Sequence, residues 1–140
     1  PSPVPHELDG RHCWCGRSGC LETFLSNSGF EDDYERITGE RHDAASIAAA
    51  AATGDIVADS VVQVFEDRLG RVTATIISLF DPQMIILGGM VPLPERLETR
   101  VPRKWPGYVQ INRTKTRLAV STNGADALLK GAALLMSGKN

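Results

Sequence analysis

The longest regular pattern of apolar and polar residues lies in the middle of the chain. Its apolar residues recur at helical spacing and would occupy one face of an α-helix. Asp55 can cap the first turn, so the pattern predicts a helix that runs to about Leu79. Gly70 lies within it at a cost of about 1 kcal/mol relative to alanine, which indicates close packing at that point. The apolar positions are Val57, Val61, Val64, Phe65, Val72, Ile76 and Leu79.

Shorter helices are predicted on both sides of this segment. Asp43 can cap an alanine-rich helix that stops at Gly54, and Gly39 can end the helix before it. In the last predicted helix we expect Gly131 to face a close neighbour. The predicted helices are Leu21–Ser26, Phe30–Thr38, Ala44–Thr53, a proline-interrupted segment from Pro92 to about Lys104, and Gly124–Met136.

Two segments have the pattern of strands. Met84–Leu87 is a short apolar run bounded by proline and a glycine pair, which is typical of a buried strand. Arg117–Ser121 alternates between polar and apolar residues and predicts a second strand. Helices combined with a few buried strands favour an α/β arrangement of layers. Residues 1–12 are rich in proline and polar groups, so we expect a loop there.

Composition and charge narrow the classes of function. The chain has 140 residues, a formal net charge of −2 and no long run of lysine or arginine, so no nucleic-acid partner is expected. No apolar run approaches the length of a membrane span, and no membrane partner is expected. The start of the chain, Pro1–Pro5, lacks an initiator methionine and the features of a signal peptide. We therefore expect a cytoplasmic fragment of a longer protein.

Three cysteines within eight residues are the strongest chemical signal in the sequence. Cys13, Cys15 and Cys20 form the pattern C-x-C-G-x-x-G-C. Thiolates at this spacing on a glycine-rich turn can supply three corners of a tetrahedral zinc site. A disulfide between Cys13 and Cys15 would be strained, and a redox pair would more usually have C-x-x-C spacing. We therefore expect zinc rather than three inert thiols.

The fourth zinc ligand remains open on these residues alone. The chain offers His6, His12 and His42. His12 adjoins Cys13, which is an awkward geometry for binding one metal ion, whereas His6 has the freedom of a loop. A histidine in a polar loop is more often simply solvated, so the pattern does not select one of the three.

The cysteine pattern is part of a longer motif. The stretch from Cys13 to Ser26, CWCGRSGCLETFLS, resembles the zinc motif of the ROK family of sugar kinases and sugar-responsive repressors. Ser28–Tyr34, followed by Thr38 and Gly39, is similar to the bacterial fructokinase branch in particular. Asp81–Gly89 resembles the family's late strand and glycine turn, and Lys130–Ala133 resembles its final helix. The resemblance therefore covers nearly the whole chain.

The resemblance implies an actin-like, ribonuclease H-type fold with two lobes and a sugar–ATP cleft between them. This chain would be the C-terminal portion, with a zinc-knuckle and sugar-site segment at residues 1–27 and a C-terminal α/β lobe at 28–140. The phosphate-binding turn, the catalytic aspartate and the usual histidine ligand of the zinc would lie upstream of Pro1. The chain itself would then hold no catalytic residue, and the absent histidine is favoured over His6 as the fourth ligand.

The resemblance also assigns roles to Glu22 and to the turn at Gly88 and Gly89. Glu22 would accept hydrogen bonds from sugar hydroxyls, although position alone would favour an acid that merely complements a helix dipole. The glycine turn would lie beside the adenosine of ATP, although a glycine pair often just ends a strand. The other acids that could suggest a catalytic base are interpreted as capping or solvated surface residues: Asp32, Asp33, Asp81 and Asp126.

The expected activity is transfer of the γ-phosphoryl group of Mg-ATP to a hexose hydroxyl, with a structural zinc ion and fructose as the preferred acceptor. Mannose, glucose or an N-acetylated hexosamine would share most of these motifs. The main alternative is the effector-binding part of a ROK transcriptional repressor, and a third is a zinc-stabilised interaction module without a ligand. A phosphate loop or a helix-turn-helix upstream would separate the first two. We also expect a homodimer.

Overall fold

The helices and strands follow the predicted order along the chain. A computed structural model describes residues 10–89, 92–109, 115–121, 124 and 126–136. Two short 3₁₀ helices accompany the longer elements. In chain order the elements are a first 3₁₀ helix Leu21–Thr23, α1 Asn27–Thr38, α2 Ala44–Ala52, α3 Ile56–Phe80, β1 Met84–Leu87, α4 Pro94–Arg100, a second 3₁₀ helix Pro102–Gly107, β2 Arg117–Val120 and α5 Asp126–Met136.

Side-chain caps fix where the first three α-helices begin. The Asp43 carboxylate accepts from the backbone N–H of Ser46 at 2.9 Å, and that of Asp55 accepts from Ala58 at 2.7 Å, which confirms both predicted caps. Helix α1 begins three residues earlier than predicted. The reason is Ser26, whose hydroxyl oxygen accepts from the N–H of Gly29 at 3.1 Å. Gly39 ends α1 with φ of 76°.

Helix α3 is the centre of the hydrophobic core. Helices α1 and α2 pack on it, together with the second 3₁₀ helix. Phe30 of α1 and Phe65 of α3 meet edge to face with ring centroids 5.6 Å apart. Gly70 lies close to the second 3₁₀ helix, because a Cβ there would be 3.2 Å from the Cβ of Lys104. The close packing predicted at Gly70 is therefore confirmed.

The two described strands form a parallel pair after α3. Met84 lies opposite Arg117 and Leu87 opposite Val120. Ile85 and Leu87 pack against the core, while Ile86 on the other face is 62% exposed. The prediction of a fully buried strand is therefore wrong for β1, which is covered on one face only among the described residues. Helix α4 connects the strands and contacts β2, where the Glu98 carboxylate accepts from the N–H of Val120 at 2.6 Å. The predicted α/β arrangement is confirmed for the described residues.

Three predictions of local structure need correction. The helix expected over Leu21–Ser26 is a 3₁₀ helix that ends at Thr23. The proline-interrupted segment is divided at Pro102 as predicted, since Pro102 has no N–H to continue the ladder of α4, but its bounds are Pro94 and Gly107 rather than Pro92 and Lys104. A Cβ added at Gly131 would meet no atom of the described residues within 4 Å, so no close neighbour is found there.

The loop predicted over residues 1–12 falls mostly outside the described residues, and so does His6. Within the described part of the chain, no single helix is long and apolar enough to cross a membrane. Helices α2 and α3 pass that test only as a pair, and the pair is bent by 111°.

Candidate functional site

The three cysteines lie on a tight turn that begins the described part of the chain. His12 and Ser18 form an antiparallel bridge, and inside it the N–H of Cys13 donates to the carbonyl of Arg17 at 2.8 Å. Gly16 and Gly19 have φ of 82° and 76°, a conformation that other residues rarely adopt. The glycines of the C-x-C-G-x-x-G-C pattern therefore allow the backbone to fold back on itself. We call residues 11–20 the knuckle.

The turn brings the three sulfur atoms together. The Sγ atoms of Cys13, Cys15 and Cys20 all lie within 4.8 Å of one another, and those of Cys15 and Cys20 are 3.6 Å apart. Three sulfurs bound tetrahedrally to one zinc ion at about 2.3 Å would be about 3.8 Å apart. The donor type and the spacing fit zinc, and the three residues would be its ligands.

Because the thiols lie so close together, the pKa values of Cys15 and Cys20 shift in opposite directions. A hydrogen bond from the Arg17 backbone, helped by the thiols of Cys20 and Cys13, lowers the pKa of Cys15. Hydrogen bonds to Cys15 and Cys13 raise the pKa of Cys20 to about 11. A second thiolate is disfavoured beside the first because like charges repel at this distance. A divalent cation at the centre would remove that repulsion, as in other thiolate zinc sites.

No histidine joins the three sulfur atoms within the described ranges. Nδ1 of His12 lies 3.3 Å from the Ser18 hydroxyl, on the bridge that closes the turn. His42 packs edge to face on Tyr34 with ring centroids 5.4 Å apart. The described residues therefore supply three ligands, and the expectation of an upstream histidine or His6 stays a prediction.

Glu22 lies two residues after the last cysteine, on the first 3₁₀ helix. This helix is tied to the knuckle, because the N–H and the hydroxyl of Thr23 both donate to the carbonyl of Cys20, at 3.0 and 2.7 Å. Phe24 anchors its other end and is 1% exposed. The Glu22 side chain is exposed. The sequence thus places a carboxylate at the edge of a short, firmly held element.

One cavity contains all three residues that the sequence predicts to bind substrates. Glu22 lies on its wall together with Gly88 and Gly89, and its volume is about 590 Å³. The two parts of the wall are far apart in the sequence, and residues of α3 and β1 line the same cavity between them. Apolar side chains form most of the remaining wall: Leu25, Phe65, Leu69, Ile86, Leu87 and Leu97.

A second cavity of about 450 Å³ adjoins the first. Asn27, Gly89 and Pro92 line both cavities and mark the boundary between them. Gly89 has φ of 85°, so the turn at this boundary requires a glycine. The acid Glu31 in this second cavity is already engaged, because its carboxylate accepts from the N–H of Ala44 at 3.0 Å.

Asp33 was wrongly interpreted as a capping or surface residue. It is 4% exposed, and its carboxylate pairs with the guanidinium groups of Arg11, Arg36 and Arg68. The sequence contained one signal of this: Arg68 lies seven residues after Val61 and three after Phe65, on the buried face of α3. A cation on a buried helical face requires an anionic partner. The prediction holds for the other three acids, which are Asp32, Asp81 and Asp126. Asp32 pairs with Arg41 on the surface, and Asp81 ends α3.

The chain is similar to sugar kinases and to a ROK family transcriptional regulator. A sequence profile described as the ROK family matches residues 4–139. The N-acetyl-D-glucosamine kinase of Pectobacterium carotovorum subsp. carotovorum (strain PC1) is 32% identical over 123 residues, which are 88% of this chain and 40% of that protein. The chain thus spans about two fifths of the length of this relative.

Two solved structures share the fold over almost the whole chain. One is a ROK family glucokinase from Streptomyces griseus in complex with glucose and AMPPNP, with a TM-score of 0.72 and 25% identity, covering 94% of this chain and 49% of that one. The other is a ROK family transcriptional regulator, a homolog of the Escherichia coli MLC protein, with a TM-score of 0.74 and 29% identity, covering 96% and 37%. Both matches agree with an α/β fold.

Proposed function

This chain belongs to the ROK family, and from that premise we propose that it is the C-terminal part of an ATP-dependent sugar kinase. The whole protein would transfer the γ-phosphoryl group of Mg-ATP to a sugar hydroxyl. The sugar kinases among its relatives support this activity. The catalytic base and the phosphate-binding turn would come from the part of the protein that precedes this chain, within a two-lobed, actin-like fold.

One observation carries the proposal: Glu22 and the turn at Gly88 and Gly89 line the same cavity. A kinase must hold two substrates side by side, because most of its catalytic effect comes from positioning the acceptor oxygen against the phosphoryl group. In our proposal Glu22 accepts hydrogen bonds from sugar hydroxyls. The glycine turn, which no side chain of the described residues approaches within 4 Å of an added Cβ, forms part of the nucleotide site.

Zinc would have a structural role in this arrangement. Cys13, Cys15 and Cys20 would hold it, and the bound ion would supply a cross-link that fixes the fold of the knuckle. The first 3₁₀ helix starts at the residue after Cys20, so a fixed knuckle restricts where the Glu22 carboxylate can lie. The chain's own residues then orient the sugar without any step of the reaction passing through the metal.

The identity of the preferred sugar is a separate proposal from the kinase activity itself. Fructose is the acceptor that the Ser28–Tyr34 segment favours, and it remains our prediction. The relative described above is named for N-acetyl-D-glucosamine, and the glucokinase structure contains glucose. An acceptor panel of fructose, glucose, mannose and N-acetyl-D-glucosamine, assayed by coupled ADP release with the full-length protein, ranks these sugars by kcat/KM. A fructose value below that of another sugar would replace the prediction.

A second candidate is the effector-binding part of a ROK repressor. The similarity to the transcriptional regulator supports it, since that match covers 96% of this chain. The acceptor panel separates the two functions: a kinase forms ADP with at least one sugar, whereas a repressor binds a sugar without forming ADP and binds an operator DNA. We further propose a cytoplasmic homodimer, and a division into a sugar-site segment at 1–27 and a C-terminal lobe at 28–140.

A further inference from the structure

Asp33 lies at the meeting point of three elements. It belongs to α1, and its carboxylate pairs with Arg68 of α3 and with Arg11 of the knuckle. The side chains of Asp33 and Arg68 are each 5% exposed, and that of Arg11 is 21% exposed. Buried ion pairs of this kind hold when each charge has a partner and its remaining hydrogen-bonding groups are satisfied.

Arg11 satisfies its remaining donors on the backbone beside Glu22. Its Nη1 donates to the carbonyl of Thr23 at 2.8 Å and to that of Gly29 at 3.1 Å. Thr23 is the residue after Glu22, and Gly29 is in the first turn of α1. The two segments are in direct contact, because a Cβ added at Gly29 would lie 2.6 Å from the Thr23 carbonyl oxygen. One guanidinium group thus joins the knuckle, the first 3₁₀ helix and α1.

Phe24 completes the cluster. The guanidinium carbon of Arg11 lies 4.8 Å from the centre of its ring, and that of Arg68 lies 5.0 Å away. Both distances are within the range of cation–π attraction. The ring therefore contacts both of the buried or half-buried cations that pair with Asp33. We call Arg11, Phe24, Asp33 and Arg68 the Asp33 cluster.

We propose that Asp33 is a positioning residue for the sugar site. It orients the knuckle and the first 3₁₀ helix against α1 and α3, and so sets the position of Glu22 opposite the turn at Gly88 and Gly89. The proposal rests on the proposed function, in which Glu22 contacts the sugar. Zinc and Asp33 would do separate tasks: the metal fixes the fold within the knuckle, and Asp33 fixes the placement of the knuckle on the helices.

The test is Asp33→Asn in the full-length protein. An amide cannot pair with three guanidinium groups, so Arg11 loses its anchor and Glu22 is displaced. Since a misplacement of about 1 Å can cost about 100-fold in rate, we expect KM for the sugar to rise or kcat/KM to fall by about 10- to 100-fold. KM for ATP and the zinc content should stay within twofold of the parent protein.

The matched control is Thr73→Val, which removes another buried polar contact of α3. The Thr73 hydroxyl is 2.8 Å from Nε1 of Trp105, and Thr73 lines neither cavity. This variant should be less stable while its sugar kinetics stay near normal. Sugar kinetics within twofold of the parent in Asp33→Asn, with a lowered Tm, would overturn the positioning role. Loss of zinc from Asp33→Asn would overturn the separation of the two tasks.

A second variant tests the inference if Asp33→Asn does not fold, and a second measurement tests it without relying on kinase activity. Arg11→Lys keeps the charge but cannot reach Asp33, Thr23 and Gly29 together, so it should show the same selective loss if Asp33→Asn does not fold. Amide hydrogen exchange at Gly19 and Thr23 should become at least tenfold faster in either variant than in Thr73→Val. Unchanged exchange would contradict the positioning role of the Asp33 cluster, even if the protein proves to phosphorylate no sugar. Faster exchange without kinase activity would contradict only the proposed function.

Discussion

Glu22→Gln is the change that best separates a sugar ligand from an ordinary surface acid. The Glu22 carboxylate is exposed in the cavity wall, and no hydrogen bond or ion pair to another described residue involves it. The substitution keeps the size of the side chain and replaces one acceptor by an amide donor. The helix that carries it has only three residues and little dipole, so the free energy of unfolding should change by less than about 1 kcal/mol.

The expected loss is in the use of sugar. A hydrogen bond to a charged group contributes about 1.5–3 kcal/mol, and each 1.36 kcal/mol is a factor of ten, so kcat/KM for the sugar should fall by about one to two orders of magnitude. KM for ATP should stay near its original value, because the glycine turn is unchanged. Zinc content should also be unchanged, because the three thiols are untouched.

The assay is steady-state ADP release by the full-length protein, with sugar varied at saturating ATP and then ATP varied at saturating sugar. Glu95→Gln is the control, since Glu95 is also an exposed acid in a first helical turn but lines neither cavity. It should leave both substrates unaffected. Normal sugar kinetics in Glu22→Gln together with a lowered Tm would refute the role of Glu22 as a sugar ligand.

Three further outcomes are expected. Cys20→Ser should lose most of its zinc by elemental analysis and lower the Tm, because binding of a structural metal is coupled to folding; full zinc occupancy in the variant would contradict the three-thiolate site. Gly89→Val should raise KM for ATP more than KM for sugar, because φ of 85° at the turn is strained for a β-branched residue, and equal losses for both substrates would indicate general misfolding instead. Arg36→Gln should cost less sugar activity than Asp33→Asn, because the Arg36 side chain is 65% exposed and contacts only the outer side of the Asp33 cluster; an equal loss would show that the charge balance of Asp33, rather than the buried pairs, sets the position of Glu22.

Local signals in the sequence were sufficient for most of the secondary structure. The caps at Asp43 and Asp55 and the glycine stop at Gly39 are interactions within four residues, so they can be read directly from neighbouring letters. The apolar run Met84–Leu87 gave the bounds of β1 without error. The start of α1 was misplaced because Ser26 was assigned to the preceding helix and not recognised as a cap.

The candidate site also has a local part, which the sequence predicted, and a part that depends on contacts between distant segments, which it did not. The cysteine spacing predicted a cluster of thiols, and the fold places the three sulfur atoms within 4.8 Å of one another on one turn. The Asp33 cluster was missed because its partners are 22 and 35 residues away from Asp33, and no local pattern pairs one buried acid with a chosen arginine. The shared cavity of Glu22 and Gly89 depends likewise on how α3 and β1 pack. Resemblance to a family suggested both residues, but only the fold brings them together.

The shared carboxylate of Asp33 also restricts how this region can change over evolutionary time. A substitution at Asp33 alone removes the carboxylate that pairs with the buried Arg68 and the half-buried Arg11, and breaking a buried pair costs about 3–5 kcal/mol. An apolar residue at Arg68 alone removes one of the two cations that hold the Phe24 ring. Replacing Asp33 and Arg68 together removes the buried pair without leaving one of its two charges behind, so the double change should cost less than the sum of the single ones. The Asp33 cluster is therefore epistatic: its members can be exchanged as a set more easily than one at a time.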